Sequence, residues 1–139
     1  MRASYFITDC DVTLELIFES VKAVPDRFDI HFDDKIIALE VIKPYGQYEF
    51  LKIEEETRAA LLEEWYEENE IFELLFNNPL IPGKTRAFYL TFSQLIPASK
   101  LLKYVTQSLI ANPSVKFVIY DCMNQPVQPT EFLESLLED

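Results

Sequence analysis

The spacing of apolar and polar positions changes along the chain, and each change of period predicts a different element. Residues 3–8, Ala-Ser-Tyr-Phe-Ile-Thr, form an aromatic and β-branched run that predicts a strand, and Asp9-Cys10-Asp11 supplies turn and N-cap chemistry for a helix behind it. Leu14, Ile17, Phe18 and Val21 then repeat at helical spacing until Pro25. Phe28, Ile30 and Phe32 alternate with Asp29, His31 and Asp33, the mark of a strand with one wet face. Asp33-Asp34-Lys35 is turn-like, Ile36 to Ile42 resumes as a strand, and the two runs predict an antiparallel hairpin. Pro44-Tyr45-Gly46-Gln47 turns the chain again before a short strand over Tyr48 to Ile53.

From Glu54 to Phe76 a period near 100° per residue places Leu61, Leu62, Trp65, Phe72 and Phe76 on one side and Glu56, Glu63, Glu67 and Glu70 opposite. One long helix with a core face and an acidic face is predicted. Asn77-Asn78-Pro79 stops it, Pro82-Gly83-Lys84 closes a loop, and Arg86 to Phe92 predicts a strand. Pro97 opens a helix whose apolar side is Leu101, Leu102, Val105 and Leu109, and Asn112-Pro113 ends it. Val115 to Tyr120 is a last strand, and Pro129 with Glu131, Phe132, Leu133, Leu136 and Leu137 predicts a short closing helix. Arg2-Ala3-x-Tyr5 and Arg86-Ala87-x-Tyr89 each begin a strand that feeds a helix, an echo of two βαβ-like halves joined by the acidic helix. The expected architecture is α+β: a single globular domain over 1–139, a two-layer sandwich with a mainly antiparallel sheet of about five strands and three to four helices.

Composition narrows the class. Apolar residues make up 49% of the 139 positions, including 11 Phe and 7 Tyr, enough to fill one core and to argue against disorder. No run approaches the roughly 18 apolar residues of a membrane span. The acids, 24 against 12 bases, give a net charge of −12. Such a chain repels phosphate backbones, so direct nucleic-acid binding is disfavoured and a basic protein is the favoured partner. The apolar run after Met1 is too short for a signal h-region, which makes the expected location cytoplasmic. Cys10 and Cys122 match no zinc spacing and no C-x-x-C motif, and are expected to be reduced.

Candidate chemistry is sparse. With 2 glycines, at Gly46 and Gly83, no phosphate-cradling loop can be written, and no cofactor is expected. Asp29, His31 and Asp33 share one strand face, but same-face neighbours lie about 7 Å apart, so a solvated polar face is expected rather than a metal site. Phe6-Ile7-Thr8-Asp9-Cys10-Asp11-Val12-Thr13 resembles the first motif of haloacid-dehalogenase-like phosphohydrolases. The resemblance implies Asp9 as nucleophile, Asp11 as general acid and base, and magnesium held by both, with Thr91 or Ser93, Lys100 and Asp121 in the later positions. Val12 stands where that family has Gly, and Asp121 stands alone where it has two carboxylates.

Residues 54–76 hold nine Glu and one Arg, a local charge of −8. Like charges at i and i+4, such as Glu63 with Glu67 and Glu64 with Glu68, cost a helix about 0.2 to 0.5 kcal/mol per pair, a repulsion that a basic partner relieves. The candidate partner-binding set is therefore Glu56, Glu63, Glu64, Tyr66, Glu67, Glu68 and Glu70, with Tyr45 and Tyr48 as rigid contact area. The function expected from these residues is a non-enzymatic acidic binding module, an inhibitor or immunity-type protein masking a nucleic-acid-handling or toxin surface. The alternatives are a self-assembling scaffold domain, which would form homodimers, and the magnesium phosphohydrolase using Asp9 and Asp11.

Overall fold

Twelve elements alternate along the chain in a computed structural model that describes residues 2–22, 29–32, 36–43, 46–67, 70–92, 96–112, 116–121 and 125–136. The strands are β1 (Arg2–Asp9), β2 (Asp29–Phe32), β3 (Ile36–Lys43), β4 (Gly46–Glu56), β5 (Thr85–Phe92), β6 (Phe117–Asp121) and β7 (Gln125–Val127). The helices are α1 (Leu14–Lys22), α2 (Arg58–Trp65), α3 (Glu70–Phe76), α4 (Ile96–Ala111) and α5 (Pro129–Ser135). All strands join one antiparallel sheet in the order β2-β3-β4-β5-β1-β6-β7. The α+β class expected from the sequence is found. The described strands exceed the expected five, six of them having four or more residues and β7 three, and the described residues hold five helices because the expected acidic stretch contains two.

The strand order places the two Arg-Ala-x-Tyr strands, β1 and β5, side by side at the centre of the sheet. Both β5 and β6 pair antiparallel with β1, so they run the same way on either side of it, and α4 makes the crossover between them. By the same logic β1 and β4 flank β5 and run alike, linked through α1 and the β2–β3 hairpin. These are two split β-α-β units, each threading a strand through the other. The two expected βαβ-like halves are interlocked through β1 and β5.

Adjacent residues of the central strands face opposite sides of the sheet, and both sides are covered. Phe6, Phe88 and Ile119 pack with Ile17 of α1, Leu101 and Val105 of α4 and Phe132 of α5. The rings of Phe6 and Phe132 meet edge to face at 5.5 Å, an arrangement aromatic pairs prefer. Next to them Ile7, Ala87 and Val118 point the other way, onto Leu61 of α2 and Phe72 and Leu75 of α3. The two-layer expectation is thus amended, because α2 and α3 add a layer over the centre of the second face. Its signature was the pairs Phe6-Ile7, Ala87-Phe88 and Val118-Ile119, since consecutive apolar residues mark a strand buried on both faces.

Helix α1 buries Leu14 and Ile17 as its spacing predicts, but its N-cap is Thr13, whose Oγ1 accepts the Leu16 N–H at 3.1 Å. The expected cap at Asp9-Cys10-Asp11 is a different device. Asp9 Oδ1 accepts the Asp11 N–H and Asp9 Oδ2 accepts the Lys116 N–H, both at 3.1 Å, which closes the turn and ties the end of β1 to the approach of β6. Helix α4 buries Leu101, Leu102, Val105 and Leu109, and α5 begins at Pro129 and buries Phe132, each as predicted.

Candidate functional site

The segment read as one helix from Glu54 to Phe76 is a strand end and two short helices. Strand β4 continues through Glu56, burying Leu51 and Ile53 against the α1 and α4 layer, which places Lys52, Glu54 and Glu56 on the opposite face. Thr57 is extended, and its Oγ1 accepts the Ala60 N–H at 3.2 Å to start α2. Helix α2 ends at Trp65, and its last turn carries Glu63 and Glu64 and no basic residue, an arrangement that the negative end of the helix dipole disfavours. Tyr66 then turns the chain with φ +66°, its N–H donating to Leu62 O at 3.0 Å. The pair Glu63/Glu67 therefore straddles the break, and the helical repulsion expected of it does not apply; the pair Glu64/Glu68 includes a residue outside the described ones. Trp65, expected in the core, is 42% exposed, and Leu75 joins Leu61 and Phe72 as the buried apolar positions of α2 and α3.

The left-handed backbone at Tyr66 is strained for a residue with a Cβ. Its side chain is 90% exposed and contributes little packing. Tyr66→Gly is therefore expected to stabilise the chain by about 1 kcal/mol, read from the urea midpoint at constant slope. A loss of stability would mean that the ring is packed.

Above that break the sheet and α2 enclose a recess of about 500 Å³, within the range of ligand pockets. The sheet register builds its floor. Glu54 of β4 pairs with Tyr89 of β5, which pairs with Tyr5 of β1, so one carboxylate and two phenols form a row across three strands. The Tyr5 and Tyr89 rings lie 4.8 Å apart, tilted by 43°. Glu56 stands in the next row of β4, and α2 contributes Glu64 and Trp65 to the rim. Three aromatic rings and three carboxylates thus converge from three strands and a helix.

The electrostatics are unbalanced. Burial pushes the Glu56 pKa above the usual carboxylate range, and the neighbouring charges of Glu54 and Glu64 push it the same way. Tyr5 is raised well above an ordinary phenol by burial first, then by Glu56, Tyr89, Glu64 and Glu54, so its hydroxyl remains a hydrogen-bond donor at neutral pH. Lys52 Nζ lies 3.9 Å from Glu54 Oε2, a long contact between two partly exposed side chains. Arg86 is committed to Glu55, reaching its two oxygens at 2.8 Å and 3.1 Å. Among the described residues no ion pair reaches Glu56 or Glu64.

The charged form of Glu56 is consequently expected to oppose folding at neutral pH. A carboxyl whose folded pKa exceeds its unfolded value binds the proton more tightly in the folded chain, so its contribution favours folding at low pH and is lost as pH rises through the raised value. Glu56→Gln is expected to raise the melting temperature at pH 7, with the difference from wild type closing below the ordinary Glu range. A lower melting temperature for the variant at pH 7 would show a favourable contact for the charged form.

The chain matches no protein-family model, no curated protein and no solved structure. The chemistry of the site has to come from its own residues. Of the expected partner-binding set, Glu56 and Glu64 line the recess, while Glu63, Tyr66, Glu67 and Glu70 are exposed on α2, the following turn and the start of α3. Tyr48 sits toward the other end of β4, about 26 Å from Glu56 at 3.3 Å per residue, so the two do not share one patch. Tyr45 and Glu68 lie outside the described residues. Tyr5, Tyr89, Glu54 and Trp65 were not singled out as site residues from the sequence, although both tyrosines are the last residue of the repeated Arg-Ala-x-Tyr.

The other candidates fall elsewhere. Both Asp9 oxygens are engaged by backbone N–H groups, which is the arrangement of a structural tie rather than of a free nucleophile. Cys10 is an exposed free thiol whose Sγ donates to Lys84 O at 3.0 Å. Asp33, Ser93 and Cys122 lie outside the described residues. Among the described residues no three His, Cys, Asp or Glu side chains are grouped to hold a metal ion, and no helix is long and apolar enough to cross a membrane.

Proposed function

We propose that this protein is a non-enzymatic acidic binding module whose partner is a basic protein, masked in the manner of an inhibitor or immunity protein. The supporting observation is the convergence of Glu54, Glu56 and Glu64 on a recess walled by aromatic rings, where no ion pair among the described residues reaches Glu56 or Glu64. Glu56, partly desolvated and repelled by Glu54 and Glu64, carries an electrostatic penalty in the free protein, and that penalty falls when a cation arrives. Glu63, Glu67 and Glu70 extend the same charge outward, and the chain's net −12 steers a basic surface toward it. Self-assembly through this face is disfavoured by the same charge, since a second copy brings carboxylates to carboxylates.

The test is affinity capture from the cells that encode the chain, with washes at about 0.1 M and about 1 M salt, where the Debye length falls from about 10 Å to about 3 Å. A basic protein held at low salt, released at high salt and lost with Glu63→Lys, Glu67→Lys and Glu70→Lys together is the expected result. The triple variant keeps the far-UV spectrum of the wild type. Equal capture by the triple variant, or no basic protein at all, would overturn the proposal.

A further inference from the structure

We infer that the recess between α2 and the sheet is a socket for an arginine side chain of the partner, its guanidinium set against the Tyr5, Tyr89 and Trp65 rings and the Glu56 and Glu64 carboxylates. This rests on the proposed function and gives its contact a chemical identity. The walls select among cations. A hard divalent ion takes six to eight oxygen ligands, whereas much of this lining is aromatic and aliphatic, with Leu61 and Ile71 beside the rings. An ammonium is a compact, strongly hydrated point charge that gives up more hydration than a guanidinium to reach a ring face and has no plane to stack on it. A guanidinium is planar and weakly hydrated, stacks on aromatic faces, and carries five donors in a fork that two carboxylates on different elements can share. The long apolar stem of arginine suits the Leu61 and Ile71 side of the recess.

The volume of about 500 Å³ admits such a side chain with room for water. The tilted Tyr5 and Tyr89 rings, 4.8 Å apart, are fixed by pairing of β1 with β5, so the floor is preformed. The raised Glu56 and Tyr5 protonation ranges agree with a site built for an incoming positive charge: the phenol keeps its proton and the carboxylate loses its penalty once paired.

Trp65 is the single tryptophan of the chain and lines the recess, so its fluorescence reports occupancy directly. The probe is N-acetyl-arginine methylamide titrated at constant ionic strength into the full chain, with the blocked lysine and the neutral isostere, blocked citrulline, as comparators. A saturable Trp65 response to the arginine probe is expected, about tenfold or more weaker for citrulline and clearly weaker for lysine. Glu56→Gln with Glu64→Gln is expected to weaken arginine binding about tenfold or more while the melting temperature does not fall, so that misfolding is not the cause. A response that does not saturate, equal affinity for lysine or citrulline, or unchanged affinity in the double variant overturns the inference. The two proposals fail separately. Partner capture without a response to blocked arginine removes the socket alone, and a response without any captured partner removes the masking function alone.

Discussion

Replacing Phe72 by Ala is expected to lower stability by about 3–5 kcal/mol, a large part of the 5–15 kcal/mol typical of a folded domain. The magnitude follows from position. Phe72 is fully buried on the second face of the sheet, among Ile7, Ala87, Val118 and Leu75. Ala87 is too small to fill the space the ring leaves, so the cavity term adds to the lost transfer energy. Helix α3 has seven residues, far below the length at which a helix is stable alone, so its docking depends on the buried Phe72 and Leu75. The measurement is urea unfolding at pH 7, with a lower midpoint and an unchanged slope expected. A cost below about 1 kcal/mol would mean that α3 is not packed as described.

Asn78→Ala is expected to cost about 2–3 kcal/mol, because a single buried side chain closes three hydrogen bonds between α3, the loop and the sheet. Asn78 Nδ2 donates to Leu74 O at 2.9 Å and to the Tyr120 hydroxyl at 3.0 Å, while its Oδ1 accepts the Leu80 N–H at 3.0 Å. Beside it Thr85 Oγ1 donates to Leu75 O at 2.9 Å and accepts the Asn78 N–H at 3.3 Å. Alanine leaves the buried Tyr120 hydroxyl without this partner, which is the expensive half of the change. Tyr120→Phe removes that orphan. Asn78→Ala with Tyr120→Phe is therefore expected to cost less than the sum of the two single variants, measured as a double-mutant cycle. Strict additivity would break the inferred link between β6 and the end of α3.

The fold was legible where the period was unambiguous. Leu14 and Ile17, the Leu101 to Leu109 side of α4, and Phe132 behind Pro129 all bury as their spacing predicts, because each stripe faces one layer only. It was not legible where two elements meet in a phase that mimics one. Leu61 on α2 and Phe72 on α3 share one helical phase and Glu56 at the strand end falls opposite them, as in a single helix, although Tyr66 interrupts the helix with a conformation that no glycine announces. Thr57 was the available signal, a capping residue placed just before α2. The site suffered from the same error. Acid content singled out a stretch that includes the recess-lining Glu56 and Glu64, but the rings that make the acids a recess come from Tyr5 and Tyr89, far away in sequence and brought together only by the pairing of β1 with β5. Asp9 carried the strongest local resemblance and turned out to serve the backbone, as short carboxylates at strand ends commonly do.

The central claim is that the recess carboxylates serve a basic partner and not the fold. Thermal unfolding of the wild type and of Glu56→Gln with Glu64→Gln, each with and without the captured partner at a fixed concentration, tests it directly, because a ligand stabilises the folded state by an amount that grows with the logarithm of its concentration over Kd. The expected result is a double variant that melts no lower than wild type alone and gains much less from the partner. A variant that melts lower by itself and gains as much from the partner as wild type would contradict the claim.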